Sequence, residues 1–111
     1  MRRRRQDPPR RRYRRLTVRV LVEYGSEAGP QSDLATTLGA GGLFVATEAP
    51  LPPRSPLHLA FRLPGSERLW KLEGRVVWTC ESGMGIEFLD RSAIAALARA
   101  LEAWPAGGDG P

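Results

Sequence analysis

The chain has 111 residues, room for one domain around one modest core. An apolar fraction of 41%, with ten prolines and twelve glycines, indicates a turn-rich globular protein biased towards strands. No apolar run approaches the ~18 residues of a membrane-spanning helix, no apolar stretch follows the basic N-terminus as a signal peptide requires, and the single cysteine, Cys80, excludes an internal disulfide. A soluble cytoplasmic protein is the expectation.

The net charge of +5 is unevenly divided. Residues 1–15 hold nine arginines against Asp7 alone, a net of +8, while the remainder carries −3. Sixteen of the seventeen cations are arginine, which favours bidentate recognition of planar or phosphorylated anions over a diffuse lysine cloud. The partner classes this suits are phosphorylated nucleotides, nucleic acid and acidic membrane surfaces.

Residues 1–10 combine charge with Pro8-Pro9 and show no apolar periodicity, so they are expected to form a disordered arm. From Leu16 to Tyr24 the residues Leu16, Val18, Val20, Val22 and Tyr24 alternate with Thr17, Arg19 and Glu23, the pattern of a half-buried strand. Gly25 to Pro30 reads as a turn, and Gln31 to Leu38 as a second, more polar strand. Gly39-Ala40-Gly41-Gly42 is expected to be a tight connection using positive φ. Leu43 to Thr47 leaves it as a short strand, and Pro50, Pro52, Pro53 and Pro56 impose an extended loop.

Leu57, Leu59, Phe61 and Leu63 alternate as the fourth strand, and Pro64-Gly65-Ser66 turns the chain back. A long strand follows, with Trp70, Leu72, Gly74, Val76 and Trp78 expected on its core side, partnered by Gly83 to Phe88. Ile94, Leu97, Leu101 and Trp104 fall at helical spacing, with Asp90 or Ser92 as cap and Pro105 as stop. Short strands with tight turns followed by one helix predict a β-barrel with the helix over one opening, where Trp104 would act as a plug.

Three stretches resemble the PilZ family, whose members bind the bacterial messenger cyclic di-GMP. Arg11-Arg12-Tyr13-Arg14-Arg15 is similar to the family's RxxxR signature. Leu38-Gly39-Ala40-Gly41-Gly42-Leu43-Phe44-Val45 resembles the segment written (D/N)xSxxG with its following strand. The body resembles the family in Phe61-Arg62-Leu63-Pro64-Gly65, Gly74-Arg75-Val76-Val77-Trp78 and Gly83-Met84-Gly85-Ile86-Glu87-Phe88. The resemblance covers roughly residues 10–104. It implies an all-β fold, a six-stranded antiparallel barrel with one C-terminal α-helix, divided as an arm over 1–10, the domain over 11–104 and a tail over 105–111.

The resemblance also implies the ligand, cyclic di-GMP, with no metal and no other cofactor, and a site formed by Arg10, Arg11, Arg15, Thr37, Gly39 and Gly42. Guanidinium groups can fork onto phosphate or onto guanine O6 and N7, and can stack on purines. Aligning Gly42 with the family glycine places Thr37 at the Asp/Asn position and Gly39 at the Ser position. Each hydrogen bond lost there costs ~1–3 kcal/mol, together roughly thirty-fold to ten-thousand-fold in affinity. Asp33 is expected on the same strand face as Thr37 but ~13 Å away, too far to substitute.

No nucleophile elbow, HExxH, P-loop or acid–base pair is present, and the expectation is a binding module rather than an enzyme. His58 and Cys80 read as incidental surface groups. The expected function is a cyclic di-GMP receptor that relays messenger level by ordering its arginine arm to an unidentified downstream protein. The alternative is a degenerate adaptor that works through protein contacts without nucleotide. Nucleic-acid binding through the arm is weighed third, because the sequence shows no set of exposed aromatics for base stacking.

Overall fold

A computed structural model of the protein describes residues 15–27 and 29–103. The elements are β1 (Arg15–Ser26), β2 (Gly29–Gly39), β3 (Gly42–Ala46), β4 (Pro56–Arg62), β5 (Leu69–Cys80), β6 (Gly83–Phe88) and α1 (Arg91–Ala103). The strands close into a barrel in the order β1-β2-β3-β6-β5-β4, all pairs antiparallel. This is the six-stranded barrel with a C-terminal helix that the sequence implies. Arg10, Arg11, the remainder of the arm, Trp104 and the 105–111 tail lie outside the described residues.

Alternation explains most of the wall. On β1 the five apolar positions from Leu16 to Tyr24 are buried, while Arg15, Thr17, Arg19, Leu21 and Glu23 are exposed. Leu57, Leu59 and Phe61 on β4 and Trp70, Leu72 and Val76 on β5 follow the same rule. Val22, Leu38, Val45, Val76, Met84 and Leu97 are the largest wholly enclosed side chains, each stabilising the fold by roughly 1.5–3 kcal/mol as area removed from water.

Three bulges interrupt the ladders, although the in–out alternation of β1 continues through its own. On β1 three steps from Thr17 to Val20 oppose two on β2, on β2 Thr36 is the extra residue opposite β3, and on β5 Val77 is the extra residue opposite β6. A bulge displaces the following side chains by one position and turns them to the other face. Trp78 therefore does not join the core as expected; it is 47% exposed on the outer wall, whereas Trp70 is buried. Thr36 does the same for β2. Asp33 lies opposite buried Val22, and Thr37 lies opposite exposed Thr17, so the two share no face.

Two turns also differ from the expectation. The β1–β2 connection is much tighter than Gly25 to Pro30, because Gly25 pairs with Pro30 and Ser26 with Gly29 within the ladder. Gly39 pairs directly with Gly42, yet the left-handed glycines are Gly29 and Gly65, at φ 104° and 79°. Gly42 is needed for a different reason: a Cβ there would run into the Ile86 carbonyl oxygen. At Gly65 positive φ completes the turn closed by the Ser66 N–H on the Leu63 carbonyl.

The barrel's two ends are closed differently. Asp90 caps α1, its Oδ1 accepting from the Ala93 N–H at 3.2 Å, and Leu97 and Leu101 enter the common core. The helix leaves β6 at the end that carries Arg15 and the Gly39–Gly42 turn. At the other end the 47–55 loop is pinned by hydrogen bonds from the Thr47 N–H to Ser82 O and from the Val76 N–H to Ser55 O, and Leu51 packs on the core.

Candidate functional site

Strand pairing places four of the six expected site residues together. Arg15 is the exposed first residue of β1 and pairs with Gly39, which pairs with Gly42, which pairs with Glu87 on β6. Thr37 belongs to the next outward row, running Thr17, Thr37, Phe44, Gly85 and Trp78 across five strands. Neighbouring strands are ~4.8 Å apart, so Arg15 and Gly42 are separated by about two strand widths. Arg10 and Arg11, which precede this row in the chain, lie outside the described residues.

The polar groups of this face are few and distinctive. Thr37 Oγ1 is shielded from solvent and has no hydrogen-bond partner among the described residues. Buried hydroxyls are normally satisfied, so this one retains capacity for a contact. Gly39 is buried and offers only its backbone. Glu87 is held by Arg75, whose Nε donates to Glu87 Oε2 at 3.1 Å. Glu23, Asp33, Glu48 and Glu81 lie towards the opposite end, in the second half of β1, the first half of β2 and the loops beyond β3 and β5.

Asp33 has its own assignment. The hydroxyl of buried Tyr24 donates to Asp33 Oδ2 at 2.7 Å, with Gln31 Oε1 3.1 Å away. Burial, followed by the hydrogen bond and the charge of Asp33, pushes the Tyr24 hydroxyl up to about 12. This is a structural linkage inside the barrel end, unconnected to the Thr37 face.

The feature missed in the sequence is aromatic. Phe44 and Trp78 stack with centroids 5.3 Å apart and planes inclined by 24°. Their rings lie over glycines of β6: a Cβ at Gly85 would strike the Trp78 indole, and one at Gly83 would strike the Phe44 ring. The signals available were the two outward glycines of Gly83-Met84-Gly85 and three large residues in succession, Val76-Val77-Trp78, which strict alternation cannot accommodate on one face. His58 is exposed with Nδ1 3.7 Å from Glu73 Oε2. Exposed Cys80 meets Ser82 Oγ at 3.3 Å, a hydrogen bond that lowers its thiol pKa. No group of three potential metal ligands occurs among the described residues, and no helix among them is long and apolar enough to cross a membrane.

Comparison with known proteins decides the family. The PilZ domain model matches residues 9–103. The chain belongs to the PilZ family. Solved structures share the PilZ barrel: the PilZ domain of CeSA from a cellulose-synthesizing bacterium has a TM-score of 0.63 at 18% identity, over 80% of this chain and 98% of its own. The Escherichia coli YcgR PilZ domain, solved with cyclic di-GMP, gives 0.64 at 12% identity, over 85% of this chain and 92% of its own. Bacillus subtilis MotI, an inhibitor of motility, gives 0.67 at 24% identity, over 87% of this chain but 54% of its own. No curated protein matches the chain at a significant level. PilZ domains are binding modules, and at these identities the structural likeness establishes the fold alone.

Proposed function

We propose that this PilZ domain is a cyclic di-GMP receptor in which Arg10, Arg11 and Arg15 take the phosphates and the outer face around Thr37 takes a base. Closure of the arginine segment over the ligand relays messenger level to a partner protein. The observation that carries this reading is positional: Arg15 enters the sheet in the row of Gly39 and Gly42, beside the row holding Thr37 and the Phe44–Trp78 stack. Family membership and the cyclic di-GMP complex of the YcgR domain support the choice of ligand.

The aromatic pair also changes the energetic balance. Thr37 and Gly39 remove hydrogen bonds worth ~1–3 kcal/mol each. Stacking of a base on an aromatic side chain contributes ~1–3 kcal/mol, enough to offset one of those losses. Thr37 Oγ1, without a partner among the described residues, supplies part of the remainder. The ligand-binding residues of this reading are therefore Arg10, Arg11, Arg15, Thr37, Gly39 and Gly42, with Phe44 and Trp78 added.

The second reading is an adaptor that acts through protein contacts without nucleotide, favoured by Gly39, which brings no side chain to the motif. Calorimetry with cyclic di-GMP on wild-type protein and on the Thr37→Asn/Gly39→Ser variant separates the two. The receptor reading expects saturable heat from both proteins, tighter in the variant. The adaptor reading expects heat from the variant alone. Silence from both, with circular dichroism showing the fold intact, overturns the receptor reading.

A further inference from the structure

The row that crosses the outer wall at the start of β1 has a charge polarity of its own. Arg15 pairs with Gly39, Gly39 with Gly42, Gly42 with Glu87 and Glu87 with Arg75. The backbone positions of a guanidinium and a carboxylate thus stand three strand spacings apart, ~14 Å at ~4.8 Å each, with two glycines between them. The floor is bare of necessity at Gly42, where a Cβ would meet the Ile86 carbonyl oxygen. The adjacent outward row, Thr17, Thr37, Phe44, Gly85 and Trp78, carries the aromatic stack and no charge. Glu87 is the one carboxylate of the two rows, and it has unused capacity. Arg75 donates through Nε and Nη2 to a single oxygen, Oε2, and no described residue donates to Oε1. A carboxylate has room for about four donors.

A guanine nucleotide has the matching polarity. Adenine and guanine nucleotides carry the same phosphate and differ at the Watson–Crick edge of the base. Guanine presents N1–H and the exocyclic N2 amine there, adjacent donors that require an acceptor; adenine presents a bare N1 and no amine at C2. Thr37 brings one hydroxyl to this face, whereas a carboxylate is an acceptor-only group suited to two neighbouring N–H groups. The part-exposed Arg75–Glu87 pair contributes little to stability by itself, and its guanidinium offsets the charge that Glu87 sets against a phosphate. We propose that Glu87 selects guanine over adenine, its Oε1 accepting from N1–H and the N2 amine of a base that lies across Gly39 and Gly42, beside Phe44, while Arg15 holds the phosphate. The assignment rests on the receptor reading and adds to it the group that reads the base.

Changing the base and the residue together isolates this contact, as in a double-mutant cycle. Calorimetry on the full chain is run with cyclic di-GMP, with its hypoxanthine analogue, which lacks only the N2 amines, and with cyclic di-AMP. Wild type is expected to bind the hypoxanthine analogue roughly ten-fold more weakly than cyclic di-GMP, and cyclic di-AMP roughly a hundred-fold more weakly. Glu87→Met keeps the length of the side chain and removes its acceptor oxygens. It lowers cyclic di-GMP affinity roughly ten-fold or more and closes the gap between cyclic di-GMP and the hypoxanthine analogue to about twofold. A merely structural role for Glu87 weakens all three ligands alike and preserves the gap. Arg75→Met/Glu87→Met, which removes both charges, gives the same closed gap and serves if Glu87→Met fails to fold by circular dichroism. A gap that persists in the folded variant, or a wild type that does not distinguish the two ligands, overturns the assignment of Glu87 while the receptor reading stands. Absence of cyclic di-GMP binding by wild type overturns both.

Discussion

Asp33 and Thr37 stand four residues apart on β2 yet face opposite sides of the barrel wall, because Thr36 is an extra residue in the ladder with β3. Asp33 consequently reaches the Tyr24 hydroxyl, and Thr37 is left on the outer face beside Phe44. One bulge thus separates a structural carboxylate from the candidate ligand face, and the two can be probed independently.

Asp33→Ala removes the acceptor of the Tyr24 hydroxyl. Unfolding in urea is expected to show a loss of about 1–3 kcal/mol, while calorimetry with cyclic di-GMP shows affinity within about twofold of wild type, as for distant independent sites. A large affinity loss would place Asp33 in the ligand site after all.

The same linkage gives a pH dependence. The Tyr24 hydroxyl is pushed up to about 12 in the folded protein against ~10 in the unfolded chain. Between these values the unfolded state holds fewer protons, so stability falls as pH rises. The contribution is complete below about pH 10 and is lost by about pH 12. Urea midpoints measured across that window should decline more steeply for wild type than for Tyr24→Phe; parallel declines would contradict the assignment.

Gly42→Ala tests close packing. The added methyl meets the Ile86 carbonyl on the adjoining strand, which cannot move without breaking the β3–β6 ladder. Overpacking of this kind costs about 1–3 kcal/mol, read as a fall in Tm of several degrees in calorimetric scans. Unchanged thermal stability would show that the strands separate more readily than their geometry implies.

Trp78→Ala separates stability from ligand affinity. The half-exposed ring loses a stacking partnership with Phe44 worth about 0.5–1.5 kcal/mol, so urea unfolding changes modestly. Cyclic di-GMP affinity should fall roughly five- to hundred-fold by calorimetry. An affinity untouched by the substitution would remove the aromatic pair from the receptor site.

The sequence exposes the barrel because period-two alternation survives along β1 and β4, and along β5 as far as Val76, and because Pro64-Gly65 and Asp90 mark the ends of elements. It exposes the Arg15, Gly39 and Gly42 cluster because motif spacing and strand register agree there. The bulges are invisible, since an inserted residue carries no composition of its own. Val77 hides the outward turn of Trp78, and Thr36 hides the divergence of Asp33 from Thr37. Both errors have one cause: strict alternation was carried across a position where the ladder gains a residue.

The proposed receptor depends on Arg15 at the start of β1, together with Arg11 before it in the chain, clamping a phosphorylated purine ligand against the rim formed by Gly39 and Gly42. Its most direct test is calorimetry of cyclic di-GMP against wild type and Arg11→Ala/Arg15→Ala, with circular dichroism confirming that both are folded. Each charge-assisted hydrogen bond is worth about 1.5–3 kcal/mol, so the account predicts that the double substitution lowers affinity at least about a hundred-fold. Equal affinity of the two proteins for the messenger would contradict it.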